Sequence, residues 1–387
     1  MPGTGPTLDS EWTFLLAACS AISREEKLGR MRPLLVESIR WKLLFARADR
    51  HGLLPLLYQA ISGMEDAVPS DEMLYLNQSY QTNLHKSLLL SRELIRILDC
   101  LSALGTEVMP YKGLALAEIA YGDIALRQSG DIDLLIHDED LPSIRDAVRE
   151  LGYTPHAPLS ENEERAYLKS GYECAFDGAA GPNLLELQWA IQPTFYAVDF
   201  EMNGLFKRAV TVPVAGQPMK TPSSSDLFLI LSVHAAKHVW GRLVWLCDLA
   251  RVMNLETLDW NWIGAQARDL GIARIARVSM LLANRLLGAA IPVAAQEAFA
   301  EDPEVVMMSQ EIKSHILSES AYDVESLSYF RLMIRLRERR ADRFRFLHRL
   351  VFTPGPSEWK EVHLPGPLFP LYRLVRLTRL AARLVRA

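Results

Sequence analysis

The chain has 387 residues, of which 49% are hydrophobic and 23% are charged, and its formal net charge is -5. This is the composition of a globular protein with a large buried core, and the acidic balance argues against a general nucleic-acid binder. Its four cysteines (Cys19, Cys100, Cys174 and Cys247) show no CxxC spacing, so neither a zinc site nor a disulfide framework is expected, and a reducing compartment is the simplest setting.

The N-terminal residues lack the basic and then apolar pattern of a signal peptide. No apolar run approaches the roughly eighteen residues that cross a bilayer, so a soluble, cytoplasmic protein is expected. The pattern predicts four regions: helices over 1–105, a strand-containing core over 106–215, a helical domain over 216–320, and basic helices with a Pro-rich connector over 321–387.

Apolar residues recur at helical spacing through most of the first hundred residues, beginning near Ser10. A long periodic segment from about Met73 to Leu104 predicts one long helix, with Gly105 as its C-terminal stop. Strand signals follow. The predicted strands are Glu107–Tyr111, Ile132–His137, Tyr172–Phe176 and Leu184–Ile191, and an amphipathic helix is predicted over Leu141–Leu151.

The segment EVMPYKGLALAEIAYGDIALRQSGDIDLLI, from Glu107 to Ile136, carries the candidate chemistry. Asp131 and Asp133 alternate as they enter a strand, so their carboxylates share one face of the sheet. Two carboxylates this close repel each other unless a cation lies between them, and hard oxygen ligands suit Mg²⁺. Gly113, after a strand and at a helix start, lets backbone N–H groups approach a phosphate. An isolated Asp-x-Asp is usually a solvated strand edge, but this combination favours phosphoryl or nucleotidyl transfer.

The downstream strand LLELQWAI places Glu186 among apolar residues. A buried carboxylate is costly without a cation or a donor. An arginine at a sheet edge is one candidate partner. The other interpretation joins Glu186 to Asp131 and Asp133, because three carboxylates on adjacent strands make the usual ligand set for two Mg²⁺ ions. Arg127, which precedes the aspartates, is a candidate to stabilise a triphosphate.

The segment SVHAAKHVWGRLVWLCDLARVM, residues 232–253, is predicted to form one helix after an N-terminal cap at Ser223. His234 and His238 lie four residues apart, a spacing that can hold zinc, but no third ligand is evident nearby.

Lys237 and Arg242 lie close to one face of the same predicted helix. They either face a triphosphate, since Lys and Arg supply charge-assisted hydrogen bonds, or form a solvated cationic face. Asp248 is predicted to hold Arg242 or Lys237 in place.

The C-terminal segment from Tyr329 to Ala387 is basic, with 14 Lys and Arg against 4 acidic residues. RLMIRLRERRADRFRFLHRL and LYRLVRLTRLAARLVRA alternate basic and apolar residues at helical spacing, and TPGPSEWKEVHLPGPLFP between them is predicted to be extended. The basic helices either pack on the core, lie on an anionic membrane surface, or contact nucleic acid or an acidic partner.

YKGLALAEIAYGD, Arg127 with the DIDLLI strand, the LELQW strand and HAAKHVWGRLVWLCDLARV together resemble the uncharacterised nucleotidyltransferase family of the DNA polymerase β-like superfamily. The resemblance covers nearly the whole chain. It implies an α+β fold, in which a small mixed β-sheet nucleotidyltransferase core is flanked by N-terminal and C-terminal helical regions. It also implies two Mg²⁺ ions and a nucleoside triphosphate, with ATP favoured.

The resemblance assigns roles to individual residues. Asp131 and Asp133 correspond to metal ligands, and Glu186 to the third carboxylate and a candidate base. Lys112 and Gly113 stand where the superfamily's Gly-Ser turn holds phosphate. The remaining candidate nucleotide-binding residues are Arg127, His234, Lys237, His238 and Arg242.

This sequence departs from the superfamily pattern in two places. The turn is Lys112-Gly113 with a long spacer before Asp131, and Gln188 stands where the family more often has His. The expected activity is transfer of a nucleoside monophosphate to a hydroxyl or phosphate of a small molecule, peptide or protein, with release of pyrophosphate. The alternatives are transfer of a phosphoryl or sugar-phosphate group, or a non-catalytic nucleotide-binding module. Long nucleic acid is not the expected acceptor.

Overall fold

The computed structural model describes residues 8–36, 39–64, 66–157, 159–178, 181–319, 323 and 326–386. The α+β prediction is confirmed: a small mixed sheet lies between helical regions. The five-stranded sheet has the order β1-β2-β5-β4-β3, and a separate hairpin pairs β6 with β7. The strands are β1 Val108–Pro110, β2 Asp131–Ile136, β3 Thr154–Pro155, β4 Glu173–Gly178, β5 Gly181–Gln188, β6 Val210–Val214 and β7 Gln217–Thr221.

The helices precede, interrupt and follow the sheet. Those up to the sheet's end are α1 Ser10–Cys19, α2 Arg24–Leu35, α3 Trp41–Arg50, α4 Leu54–Ile61, α5 Ser70–Ala103, α6 Gly113–Tyr121, α7 Leu141–Glu150, α8 Glu161–Ser170 and α9 Met202–Lys207. Those that follow are α10 Ser224–Lys237, α11 Leu243–Val252, α12 Trp260–Leu270, α13 Ala273–Leu287, α14 Val293–Ala298, α15 Pro303–Leu317, α16 Leu327–Arg335, α17 Arg340–Phe352, α18 Pro356–Glu361 and α19 Tyr372–Arg386.

The two faces of the sheet differ in chemistry because side chains alternate along each strand. Ile132, Leu134 and Ile136 of β2 pack against α5 and α7 in one buried apolar cluster. Asp131 and Asp133 point to the opposite face of the sheet, near the end at which β2 begins. That face is apolar farther along, where Leu135 packs with residues of β1, α9 and α10.

Several local predictions are confirmed within a few residues. The long helix is α5, and Gly105 after it adopts a left-handed φ of 74°, which favours glycine. The amphipathic helix is α7. The Ser223 hydroxyl caps α10 by accepting the backbone N–H of Asp226 at 3.2 Å.

The prediction of one helix over residues 232–253 is wrong. The helix ends at Lys237, and α11 begins at Leu243. Val239 and Trp240 between them have φ values of 52° and 49°, a left-handed conformation that interrupts helical hydrogen bonding. Arg242 therefore lies at the N-terminus of a second helix and not on the face that carries Lys237.

The prediction of an extended connector between the basic helices is also wrong. It contains α18 and a 3-10 helix over Gly366–Leu371. Proline is compatible with the first turn of a helix, and both helices have one there. Glu358 of α18 is buried and pairs with Arg376 and Arg379 of α19, so part of the basic face is neutralised inside the protein.

The N-terminal helices α1 to α4 share one hydrophobic core with α10 to α16. The four-region division of the sequence stays a prediction. In the described part of the chain, none of the helices is both long and apolar enough to cross a membrane. The signal-peptide expectation concerns mainly residues 1–7, which lie outside the described residues.

Candidate active site

Parallel pairing of β2 with β5 brings the predicted carboxylates together. Asp133 lies opposite Glu186 in the register, and Asp131 lies two residues before Asp133 on the same face. Antiparallel pairing of β5 with β4 places Glu173 opposite Gln188. Four carboxylates therefore share one patch of the sheet, and we call Asp131, Asp133, Glu173 and Glu186 the carboxylate cluster.

Gln188 connects this cluster from within the sheet. Its side-chain amide donates to Glu186 Oε2 at 2.8 Å, to Glu173 Oε2 at 3.0 Å and to Asp133 Oδ1 at 3.3 Å. Its carbonyl oxygen accepts the hydroxyl of Tyr111. Because four groups hold this amide in place, it keeps the neighbouring carboxylates close together. A neutral histidine at this position has one N–H donor and could bind fewer of them.

Lys112 supplies the positive charge nearest to the cluster. Its ammonium donates to Asp133 Oδ1 at 3.0 Å, and both side chains are largely buried. Burial lowers the pKa of Lys112, but the charge of Asp133 and the contact with Tyr111 outweigh it, so the net pKa lies above the ordinary value. Lys112 is therefore charged at neutral pH, and it neutralises one carboxylate before any ligand arrives.

The remaining carboxylates are crowded. Burial and the charge of Asp133 raise the pKa of Asp131. Burial, followed by the charges of Asp133 and Glu173, raises the pKa of Glu186 to about 8. These shifts have the sign expected where negative charges outnumber their partners, and such a cluster attracts a cation.

The cluster opens into a cavity of about 420 Å³, which we call the carboxylate cavity. All ten residues predicted as site residues line it: Lys112, Gly113, Arg127, Asp131, Asp133, Glu186, His234, Lys237, His238 and Arg242. Gly113 has a φ of 50°, and a Cβ there would lie 3.3 Å from the Asp131 carbonyl oxygen, so the turn before α6 needs glycine.

Arg127 does not extend into the cavity as a free cation. Its guanidinium donates to both carboxylate oxygens of Asp248, at 2.9 and 3.0 Å, and Asp248 also accepts the Tyr121 hydroxyl at 2.6 Å. The prediction that Asp248 holds Arg242 or Lys237 is wrong. The break before α11 displaces Arg242, and a bidentate pair with Arg127 satisfies both oxygens of Asp248.

The two histidines lie next to each other, with ring centroids 5.1 Å apart. Burial lowers the pKa of His234, and burial with the nearby Lys237 lowers the pKa of His238 to about 4. Both rings are therefore neutral at pH 7. They can offer a phosphate an N–H donor but not a positive charge.

Lys237 and Arg242 differ in how freely they can meet a ligand. The Lys237 ammonium donates to the Tyr172 hydroxyl at 2.8 Å and lies 4.5 Å from the centre of that ring. Arg242 is exposed, and no carboxylate of the described residues lies within ion-pair distance of it. Arg242 also lines a second cavity of about 630 Å³ with Lys86, and the two cavities share Gln128, Ser129 and Gly130. We call this second space the cationic cavity.

Within the described residues, no group of three or more His, Cys, Asp or Glu side chains is arranged to hold a metal ion by itself. Mg²⁺ at nucleotide sites is usually held by one or two carboxylates together with substrate phosphates and water. Asp131 and Asp133, on one face and in a cluster with excess negative charge, have the hard oxygen donors that this coordination needs.

Sequence reasoning missed Glu173, Tyr172 and Lys86, and it treated Gln188 only as a departure from a family pattern. Glu173 had a detectable signal, since it lies within the predicted strand Tyr172–Phe176, and the structure places it opposite Gln188. Lys86 had none, because only the packing of α5 beside the turn before β2 brings it to the site.

Residues 37–288 match the family described as uncharacterised nucleotidyltransferase. The match spans more than half of the chain, so this protein belongs to that family. One similar solved structure is an antigenic nucleotidyltransferase-like protein from Paracoccidioides brasiliensis, with 15% identity, a TM-score of 0.31, and coverage of 54% of this chain and 94% of that chain. Among proteins with curated descriptions, none matches this sequence.

Proposed function

We propose that this protein transfers a nucleoside monophosphate from a Mg²⁺-bound nucleoside triphosphate, with ATP favoured, to an oxygen of an acceptor and releases pyrophosphate. Family membership supports nucleotidyl transfer in general. The observation that carries the specific proposal is the register that puts Asp133 opposite Glu186, with Asp131 beside them, in one cavity. A small molecule or a peptide is the favoured acceptor.

In this proposal Asp131 and Asp133 hold Mg²⁺ together with the phosphates of the nucleotide. When bound, the metal ions neutralise charge on the transferred phosphorus and orient the attacking and leaving oxygens. Lys112 stays beside Asp133 and limits repulsion within the cluster. Gly113 lets the start of α6 approach a phosphate closely, where helix N–H groups and the helix dipole favour negative charge.

The β- and γ-phosphates extend toward the cationic cavity. Arg242 and Lys86 line that side, and among the described residues neither lies within ion-pair distance of a carboxylate. Arg127 has a structural role in the proposal, because Asp248 occupies its guanidinium. His234 and His238 donate N–H groups as neutral rings, and Lys237 adds charge near Tyr172.

The reaction step follows from these positions. The acceptor hydroxyl gives its proton to Glu186 as its oxygen forms a bond to the α-phosphorus. The bond from that phosphorus to the bridging oxygen of the β-phosphate breaks, and pyrophosphate leaves toward Arg242. Glu186 suits the role of base because it lies opposite Asp133 in the register and lines the same cavity, so its carboxylate is within the space that the acceptor oxygen enters.

Pyrophosphate release from each of the four nucleoside triphosphates tests this proposal, with Mg²⁺ and a metabolite and peptide extract as acceptor source. Asp131→Asn and Asp133→Asn should each reduce release by at least about 100-fold, as is typical when a charge-stabilising group is lost. Asp138→Asn is the matched control, because Asp138 is exposed just beyond the other end of β2 and should leave the rate unchanged.

Release of inorganic phosphate, or transfer of a sugar-phosphate unit, would show that the same site moves another group. Mg-nucleotide binding without turnover would favour a non-catalytic binding module. If the wild type neither binds nor consumes any nucleotide, the proposed function is wrong.

A further inference from the structure

A third space, separate from the carboxylate and cationic cavities, lies beside β4, next to the short edge strand β3. It has a volume of about 440 Å³, within the range of about 300–1,000 Å³ typical of small-molecule sites. We call it the aromatic pocket, because four rings line it: Tyr167, Phe176, Trp189 and Trp359. Residues of α7, α8, β4 and α18 contribute its walls.

The rings of the aromatic pocket are fixed in place. Tyr167 makes edge-to-face contacts with Trp189 and Trp359, each with ring centroids 6.1 Å apart. A Cβ on Gly171 would lie 2.6 to 2.8 Å from atoms of the Tyr167 ring, so the glycine at the end of α8 lets this ring pack down. Rigid aromatic walls bind flat apolar groups at low entropic cost.

The polar groups nearest to the rings are closed off from the pocket. Trp359 is 2% exposed, and its indole N–H is buried without a hydrogen-bond partner among the described residues. The Nε–H of Arg145 is buried in the same way, although the other end of that guanidinium pairs with Glu164. Recognition in this pocket therefore relies mainly on its apolar walls.

Glu173 connects this pocket to the proposed chemistry, because it lines both the aromatic pocket and the carboxylate cavity. Glu173 points to the carboxylate face, where Gln188 donates to it, whereas Cys174 and Phe176 alternate to the other face. Glu173 therefore lies between the two spaces, and a ligand that extends from the pocket past Glu173 approaches the carboxylates.

In-line displacement at phosphorus requires that the attacking and leaving oxygens lie on opposite sides. In the proposed function the pyrophosphate leaves toward Arg242 and Lys86, which line the cationic cavity with Gly130, at the start of β2. The aromatic pocket lies beyond β5, beside β4. An acceptor that passes Glu173 therefore arrives from the β4 side, and not from the start of β2.

We propose that the aromatic pocket is the acceptor site, and that it binds a flat, largely apolar small molecule. Its nucleophilic hydroxyl or phosphate passes Glu173 to reach the α-phosphorus. The acceptor role rests on the proposed nucleotidyl transfer. Binding of such a molecule in the aromatic pocket does not depend on that reaction.

The probe is 1-anilinonaphthalene-8-sulfonate, a flat aromatic anion whose fluorescence rises on binding. Ala157 is exposed and lines the pocket, so Ala157→Trp should fill its mouth without disturbing the core. This variant should weaken binding of the probe at least tenfold. Ala294→Trp, on the exposed side of α14, is the matched control and should bind like the wild type.

Equal affinity of wild type and Ala157→Trp for the probe would overturn the assignment of the pocket as a ligand site.

Calorimetric titration with Mg-ATP, with and without saturating probe, tests the acceptor role. The expected result is unchanged ATP affinity, since donor and acceptor occupy different spaces. Displacement of ATP by the probe would show that the pocket holds the nucleobase, and it would overturn the inference while leaving nucleotidyl transfer intact. No ATP binding by the wild type would refute the proposed function and the acceptor role together, although the probe would still decide whether the pocket binds ligands.

Discussion

The pair of Arg127 and Asp248 makes a sharp prediction about folding energy. The two side chains are 9% and 0% exposed and share two hydrogen bonds, at 2.9 and 3.0 Å. Asp248→Asn keeps an acceptor for the Tyr121 hydroxyl but leaves the guanidinium charge buried without its partner. Removing one member of such a pair costs about 3–5 kcal/mol, a large part of the roughly 5–15 kcal/mol that stabilises a typical domain.

Arg127→Met should cost a similar amount, because it leaves the carboxylate of Asp248 buried with only a hydroxyl donor. The double variant removes both charges, so it should be no less stable than either single variant. Urea unfolding followed by circular dichroism measures all four proteins. Additive losses in the double variant would refute the reasoning, since they would mean that the two side chains do not interact in the folded protein.

The same variants decide whether Arg127 binds phosphate, as the sequence predicts, or has the structural role proposed here. If the role of Arg127 is structural, the affinity of the double variant for Mg-ATP should lie within about threefold of that of the wild type. This affinity is measured under conditions where the double variant is folded. Loss of a charge-assisted hydrogen bond to phosphate, worth about 1.5–3 kcal/mol, would instead weaken binding by about tenfold or more.

Three further predictions concern the site and its surroundings. Arg242→Ala should weaken Mg-ATP binding about tenfold or more in calorimetry without changing stability, because Arg242 is exposed and no carboxylate of the described residues pairs with it. Arg373→Ala, at another exposed arginine, is the control, and equal ATP affinities of Arg242→Ala and the wild type would contradict the proposed direction of the triphosphate. Gln188→Leu should lower the free energy of unfolding by about 1–3 kcal/mol, since three carboxylates lose a donor. An unchanged midpoint of urea unfolding would contradict the role of Gln188 as a bridge between them. Burial lowers the pKa of His51 from 6.5 to about 4, so below pH 6.5 the unfolded chain binds a proton that the folded protein does not. The free energy of unfolding should therefore fall by about 2 kcal/mol between pH 7 and pH 5 from this group alone. His51→Asn keeps an acceptor for the backbone N–H of Leu243 and should remove that component, and an identical pH slope in both proteins would show that His51 is not its source.

The sequence alone was sufficient to predict the features that depend on a local residue pattern. The alternation of Asp131 and Asp133 put both carboxylates on one face, and the strand around Glu186 was recognisable from its apolar neighbours. The cap at Ser223 and the length of α5 followed from residue type and period. These features depend on side-chain spacing along one element, which the chain order itself contains.

Sequence reasoning failed where a local break or a distant partner decides the outcome. The period of apolar residues runs on through residues 232–253, but Val239 and Trp240 adopt left-handed conformations that end the helix. Tertiary packing stabilises those conformations, because Trp240 is fully buried and its indole donates to Ser279 at 3.0 Å. The local sequence pattern does not indicate the contact between Trp240 and Ser279.

The same distinction separates the candidate residues from their partners. Residue types and spacing identified the carboxylates, because coordination of a metal or a phosphate needs particular chemical groups. Only the folded chain decided which charges remain available to a ligand, because Arg127 meets Asp248 across 121 positions of sequence and Gln188 joins three carboxylates on three strands. Side-chain pairing of this kind depends on which strands and helices become neighbours, and that is a property of the whole fold.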